Sequence, residues 1–379
     1  MRNIHQYLCT VIPPHILNNV ACNSDDTIAE KARGTLHHME ALSSDREQAL
    51  IRPEAKTAAP QKRRNVYDAR HRQQLPGKLV MTDHKRRGPD VEVNEAYDGS
   101  GVTYDFYSDV FHRSSIDGAG MRLDSTVHYG VQFDNAVWNG RQMIYGDGDG
   151  VLFNRFTAAL EVVGHELTHG LTQYSAGLHY FGQTGALNEH ISDAFGIMVK
   201  QYTLGQTAKD SNWLIGDGLF GPGVKGKAVR SMAAPGTAYD DPVLGRDPQP
   251  AHMKDYVDTE EDRGGVHINS GIPNHAFYLA AMSIGGETWS VLGNVWYLTL
   301  TRKLSPTADF KEFAAATVAV AGEEYGVAGA IQRVIVEAWA DVGIIVPRVV
   351  APRIPTKGER PRSVAALPGQ AKWQPRLSR

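Results

Sequence analysis

His165-Glu166-x-x-His169, within the stretch LEVVGHELTHGLTQ, sets the tightest limit on how this chain folds. On a helix, positions i and i+4 share one face, so the two imidazoles can hold one Zn²⁺ with Glu166 turned toward a water beside it. Three fixed residues are weak evidence alone, since they recur by accident in ~1 chain in 20 of this length. The plain alternative is a surface helix with two solvated histidines. Further on, GALNEHISDAFG places Glu189 and Asp193 at i and i+4 of a second predicted helix. A catalytic zinc takes three protein ligands and keeps one position open. His165, His169 and Glu189 supply the three. Ligating histidines pass their other N–H to a carboxylate or carbonyl, and Asp193 and Asn188 are placed for that. In this context the reading of Glu189 and Asp193 as ordinary surface acids loses its force.

The 379 residues leave room for two domains, each with its own core. An apolar fraction of 42% and a charged fraction of 21% are those of a soluble globular protein. A net charge of −3 gives no reason to expect nucleic acid or an anionic membrane as partner. No run approaches the ~18 apolar residues of a membrane helix. Two cysteines, Cys9 and Cys22, exclude a disulfide scaffold. The apolar run Leu8 to Ile12 is shorter than the ~7–15 residues of a secretory signal and is stopped by Pro13 and Pro14. The expectation is a chain without a signal peptide, made in the cytosol, with export by a non-classical route left open.

Residues 23–51 read as helical, with capping boxes at Thr27-x-x-Glu30 and Ser44-x-x-Glu47. RPEAKTAAPQKRR, over 52–64, reads as an exposed linker. Residues 65–155 are rich in Gly, Asp, Tyr, Val and Thr, with alternating stretches such as TVHYGVQF, and suggest strands and turns. Four later segments, 271–284, 288–303, 307–323 and 328–342, carry apolar residues at helical spacing. Residues 346–379 hold eight Lys/Arg and one acid among several prolines, the composition of a disordered tail. GDGDG at 146–150 starts like a calcium loop, but Val151 stands where a third oxygen ligand is required, so a tight turn is expected.

HELTHGLTQYSAGLHYFGQTGALNEHISDAFG resembles the active-site region of the thermolysin-like neutral zinc metallopeptidases. The likeness extends to DNAVWNGRQMIYGDGDG upstream and GGVHINSGIPNHAFYL downstream, and covers about residues 65–344. It implies an α+β, two-domain fold, with a β-rich domain (65–160) and a helical domain (161–344) flanking a zinc cleft, and a basic tail from 345. It implies a metalloendopeptidase in which His165, His169 and Glu189 bind a single zinc and Glu166 shuttles the proton from the attacking water to the leaving amine. His267 and Tyr180 would hydrogen-bond the oxyanion, and Asp262 would orient His267. Asn135, Ala136 and Arg230 would hold the substrate backbone. Phe153, Phe156, Val162, Val229 and Ile215 would surround an apolar pocket, which favours cleavage before bulky hydrophobic residues of protein or peptide substrates. Where relatives hold a double calcium site, this chain has Glu161, Lys200, Asn212, Leu214 and Asp217. Lys200 is expected to bridge Glu161 and Asp217 in place of the ions, so that no calcium pair is present.

The start of the chain resembles the leaderless, protealysin-like branch, with His15 where tyrosine is usual. By that likeness residues 1–51 are a pro-segment, joined by a linker with the maturation site, that inhibits its own enzyme. The Pro-Pro pair favours an extended backbone, so Pro13, Pro14, His15, Ile16 and Leu17 are expected in the cleft. Whether His15 or Cys9 approaches the zinc, or merely packs nearby, stays open. So does a second function class, a catalytically silent zinc-binding interaction protein kept closed by its N-terminal segment.

Overall fold

The computed structural model describes residues 8–50, 61–85 and 87–347, with backbone alone over 44–50. Residues 1–7, most of the expected linker and the tail beyond 347 lie outside these described residues. Near the start, β1 (Cys9–Thr10) is followed by α1 (Pro14–Asn23) and α2 (Asp26–Leu50). The Pro-Pro pair divides its labour. Pro13 is extended (φ −65°, ψ 151°), but Pro14 opens α1, a position where its missing N–H costs nothing. His15, Ile16 and Leu17 are therefore helical, contrary to the extended conformation expected. Asp25, not Thr27, caps α2, its Oδ1 accepting from Thr27 and Ile28 N–H (3.0 and 3.1 Å). The box at Ser44 lies inside the same helix.

The β-rich half contains β2 (Arg64–Asp68), β3 (Lys78–Thr82), α3 (Val91–Phe111), β4 (Leu123–Val127), β5 (Ala136–Trp138) and β6 (Met143–Tyr145). The strands form a mixed sheet in the order β1-β5-β6-β4-β2-β3, so the N-terminal segment supplies an edge strand. Helix α3 was not legible in the composition of its sequence. Yet Val93, Ala96, Ser100, Tyr104 and Tyr107 are buried at three- and four-residue spacing, and Asp90 caps it through the Val93 N–H (3.1 Å). Burial of that stripe outweighs weak intrinsic propensity. Only the first two residues of TVHYGVQF are strand. β4 stops at Val127, and His128, Gly130 and Gln132 take φ of 53°, 67° and 54°.

Two long helices, α4 (Leu160–Gln173) and α5 (Gly182–Leu204), bridge the halves. Beyond them come β7 (Leu214–Ile215), β8 (Arg230–Ser231), a second two-stranded pair, α6 (Asp262–Asn269), α7 (Gly271–Ile284), α8 (Leu292–Arg302), α9 (Phe310–Tyr325) and α10 (Ala330–Asp341). The last four fall where helical spacing predicts them. Their core includes Trp296 stacked on Trp339, centroids 6.1 Å apart. The join between α4 and α5 positions the site. A Cβ on Gly196 would stand 2.4 Å from the Glu161 carbonyl oxygen, and one on Gly164 would stand 3.1 Å from the Gly196 Cα. Only glycine permits this approach, which brings the polar faces of the two helices together.

Candidate active site

His165 and His169 on α4 and Glu189 on α5 converge. The two Nε2 atoms are 3.0 Å apart, and Glu189 oxygens lie 3.4 Å from the first and 3.5 Å from the second. Donors held 2.0–2.1 Å from a tetrahedral ion sit ~3.3 Å from one another, so the three fit one zinc. All three are buried, and among the described residues Glu189 Oε2 accepts no hydrogen bond. Glu166 also comes within 4.8 Å of both histidines, but its Oε2 takes the Trp138 N–H (2.8 Å). That bond ties Glu166 to β5 and leaves Glu189 to complete the set. The outward nitrogens each face a side-chain oxygen. His169 Nδ1 is 2.9 Å from Asn188 Oδ1, and His165 Nδ1 is 2.8 Å from Asp193 Oδ1. Asp193 also takes Arg230 in a two-pronged ion pair (2.9 and 3.0 Å). Burial alone would raise the Asp193 carboxyl, but Arg230 and His165 hold it well below the usual carboxylate range.

On the opposite side, α6 begins with four residues in the left-handed region, Asp262 to Gly265 (φ 47°, 55°, 82°, 71°). This turn folds Asp262 back on His267, where Oδ2 accepts the backbone N–H (2.7 Å) and Oδ1 lies 2.6 Å from Nδ1. His267 Nε2 is 3.0 Å from the Thr10 carbonyl oxygen. Both partners are acceptors, so both ring nitrogens donate and the imidazole is charged. Burial opposes that charge, but Asp262 and Glu189 prevail and hold the ring above its ordinary value. Tyr180 Oη donates to Glu189 and lies 3.3 Å from His267 Nε2.

The N-terminal segment runs through this space as an extended strand. Cys9 and Thr10 pair antiparallel with Trp138 and Val137. Val11 N–H donates to the Ala136 carbonyl (3.2 Å), and Arg230 Nη1 donates to the Val11 carbonyl (3.0 Å). The Asn135 amide exchanges two bonds with the Ile12 backbone (both 3.0 Å). Val11, Ile12, Ile16 and Leu17 are fully buried in one apolar cluster with Phe153, Phe156, Val162 and Val229. Ile215 departs from expectation, because it packs into the helical core instead. His15 meets Tyr239 rather than the zinc group, its Nε2 3.3 Å from Tyr239 Oη, and burial lowers it to about 4. Cys9 packs beside Tyr180 and Val266.

Sequence reasoning did not find Tyr239, nor Arg263, whose Nη1 donates to the Leu8 carbonyl (3.0 Å). Neither stands in a motif, and their partners lie more than two hundred positions away in the chain. Away from the cleft, the Lys200 ammonium sits 3.2 Å from Glu161 Oε2 and 3.2 Å from Asp217 Oδ2. Asn212 donates to the same Asp217 oxygen (2.6 Å). Burial raises the Glu161 carboxyl, and Lys200 pulls it back.

These features define a metallopeptidase: a two-histidine, one-carboxylate metal group, a base, oxyanion donors and an edge strand that pairs with an extended chain. Residues 40–173 match the thermolysin metallopeptidase catalytic domain, residues 176–344 its alpha-helical domain, and residues 9–49 the protealysin propeptide. An extracellular metalloprotease of Pectobacterium carotovorum subsp. carotovorum is 50% identical over 338 residues, 89% of this chain and 96% of that one. Protease PrtS of Photorhabdus sp. (strain Az29) is 42% identical over 341 residues, 88% of this chain and 91% of the other. The precursor of protealysin, a metalloproteinase from Serratia proteamaculans, superposes with a TM-score of 0.81 at 48% identity, covering 89% of this chain and 99% of that one. The chain belongs to the thermolysin metallopeptidase family and carries a protealysin-type propeptide. It is a zinc endopeptidase made as a precursor. Among the described residues no helix is long and apolar enough to cross a membrane.

Proposed function

We propose that residues 8–17 inhibit the enzyme by lying in its cleft as a substrate does, with the Thr10–Val11 peptide at the position of the bond to be cut. The observation that carries this reading is the hydrogen-bond register around that peptide. The Thr10 carbonyl faces His267, the Val11 N–H meets Ala136, and the Val11 carbonyl meets Arg230. Asn135 fixes the next residue. A substrate in the same register would have its carbonyl beside His165, His169 and Glu189, the residues that would hold zinc. When bound, zinc supplies a Lewis acid that polarises a carbonyl and acidifies water.

The chain's own groups do the rest. Glu166, fixed by the Trp138 N–H, accepts a proton from the attacking water and returns it to the departing nitrogen. His267 and Tyr180 donate to the oxygen on which negative charge develops, with Asp262 keeping the His267 ring aligned. Arg230 and Asn135 keep the leaving side in place. The apolar cluster around Val11 favours a hydrophobic residue after the cut bond, with Phe153, Phe156, Val162 and Val229 as its walls. The domain boundaries near 51, 64, 160 and 344 follow from the same reading, with maturation in the linker. The Lys200 bridge takes the place of a calcium pair, since an ammonium satisfies the two carboxylates that the cations would otherwise need to neutralise. The printed name of the Pectobacterium relative supports a working place outside the cell.

The test compares zinc-loaded full-length chain with a Glu166→Gln variant, following N-terminal trimming by mass spectrometry and hydrolysis of a quenched peptide. The wild type trims itself and cleaves the peptide. The variant stays whole, with hydrolysis lower by about 10²–10⁴-fold. Trimming of Glu166→Gln at the wild-type rate would overturn the assignment.

A further inference from the structure

A buried hydrogen-bond chain leads from the helical core to the metal group, and its direction is fixed by chemistry. Trp296 Nε1 on α8 is a donor only, and it donates to His190 Nε2 on α5 (2.8 Å). The His190 proton therefore sits on Nδ1, which donates to Asn274 Oδ1 on α7 (2.8 Å). With its oxygen taken, the Asn274 amide turns its nitrogen to Asp193, donating to Oδ2 (2.8 Å). Trp296, His190, Asn274 and Asp193 are all buried. Because Nε2 accepts from the indole, only Nδ1 carries a proton and the ring is neutral. Asp193 is the branch point, because its carboxylate touches both His165 and Arg230.

We propose that Trp296, His190 and Asn274 are positioning residues, which set the orientation of Asp193 and through it align His165 and Arg230 together. The proposal rests on the reading of His165 as a zinc ligand and Arg230 as the holder of the substrate backbone. Its physical content is directional. If the indole donor is removed, His190 is free to place its proton on Nε2. Nδ1 then becomes an acceptor, Asn274 must flip to donate to it, and the Asn274 oxygen is turned on the Asp193 carboxylate. A mere core hydrogen bond has no such consequence. The same core contains a control. Trp339 Nε1 donates to Thr317 Oγ1 (2.9 Å), is equally buried, and stacks on Trp296, but leads nowhere near Asp193.

The experiment compares Trp296→Phe, Trp339→Phe and Asn274→Ala in the zinc-loaded full-length chain. Melting temperature, the rate of zinc release to a chromophoric chelator, and kcat and KM on a quenched peptide after self-trimming are measured. The two tryptophan variants should lose similar thermal stability. Only Trp296→Phe and Asn274→Ala should release zinc faster, by about 10-fold, the lower end for outer partners of metal ligands. Both should also raise KM through Arg230. If Trp296→Phe releases zinc no faster than Trp339→Phe, the relay is overturned. Asn274→Ala decides independently should Trp296→Phe not fold. A wild-type chain that holds no zinc would instead overturn the ligand assignment on which the relay rests.

Discussion

Helix α5 meets α4 through glycine-to-backbone contact, with His165, His169, Glu189 and Asp193 buried between them. Strand β1 meets β5 through two residue pairs. His15 Nδ1 in the N-terminal segment and Asp134 Oδ1 packed against that segment are both buried, and neither has a hydrogen-bond partner among the described residues. The first interface is built to stay closed in one geometry. The second covers apolar side chains well but leaves titratable groups under-satisfied, so its hold depends on conditions. A permanent site and a removable plug thus share one cleft wall and differ in how they close, by glycine-to-backbone contact between two long helices in one case and by a two-residue strand pair over apolar side chains in the other.

The contrast can be broken at the permanent side first. Lys200→Met leaves the Glu161 carboxylate, 1% exposed, without its cation. The expected loss is about 3 kcal/mol, as for other broken buried pairs, read as a lowered denaturation midpoint. A calcium-selective chelator should leave the wild-type melting temperature unchanged, and a large drop would place calcium there instead. Gly196→Ala forces a Cβ against the Glu161 carbonyl. It should cost about 1–3 kcal/mol and speed zinc release, since the ligand-bearing helices must part.

The removable side is sharpened by pH. His15 is held at about 4 in the closed chain against an ordinary 6.5, and its surroundings are Tyr239, Asp262, His267 and Arg230. Once released, the ring takes up a proton that the closed form refuses, so closure weakens as pH falls below 6.5. From pH 7.5 to 5 the effect is roughly 30-fold. It is measured as tighter binding of a fluorescent hydroxamate to the Glu166→Gln chain, and His15→Phe should remove it. Asp134 works in the opposite sense. Burial and the nearby Asp149 hold its carboxyl well above the usual range, with Lys31 opposing, so closure favours the protonated form and weakens as pH rises. Part of that rise persists after release, because Asp149 stays in place, so Asp134→Asn should tighten closure near neutral pH by less than about tenfold.

The metal group was legible because helical spacing fixes it locally. HExxH and the Glu189–Asp193 pair each need only one turn of helix to bring their side chains onto one face. The four C-terminal helices were legible for the same reason. Helix α3 was missed because valine, tyrosine and glycine outnumber its helix formers, although its buried positions kept helical spacing. The Pro13-Pro14 pair was misread because a proline that resists extension of a helix also starts one well. Ile215 was assigned to the pocket by likeness, but its strand pairs with Arg230 and turns its side chain to the other core. Tyr239, Arg263 and the Trp296–His190–Asn274 chain depend on contacts between distant elements, which no local pattern carries.

The central claim is that residues 8–12 close the cleft in a substrate's register. It is tested most directly by recording intact mass and quenched-peptide hydrolysis in the same sample of full-length chain, with and without Val11→Asp. The account predicts that wild-type hydrolysis begins only as the segment is lost, and that a carboxylate driven into the apolar cluster at Val11 abolishes the lag. Full-rate hydrolysis by the intact wild-type chain, or an unchanged lag in Val11→Asp, would contradict it.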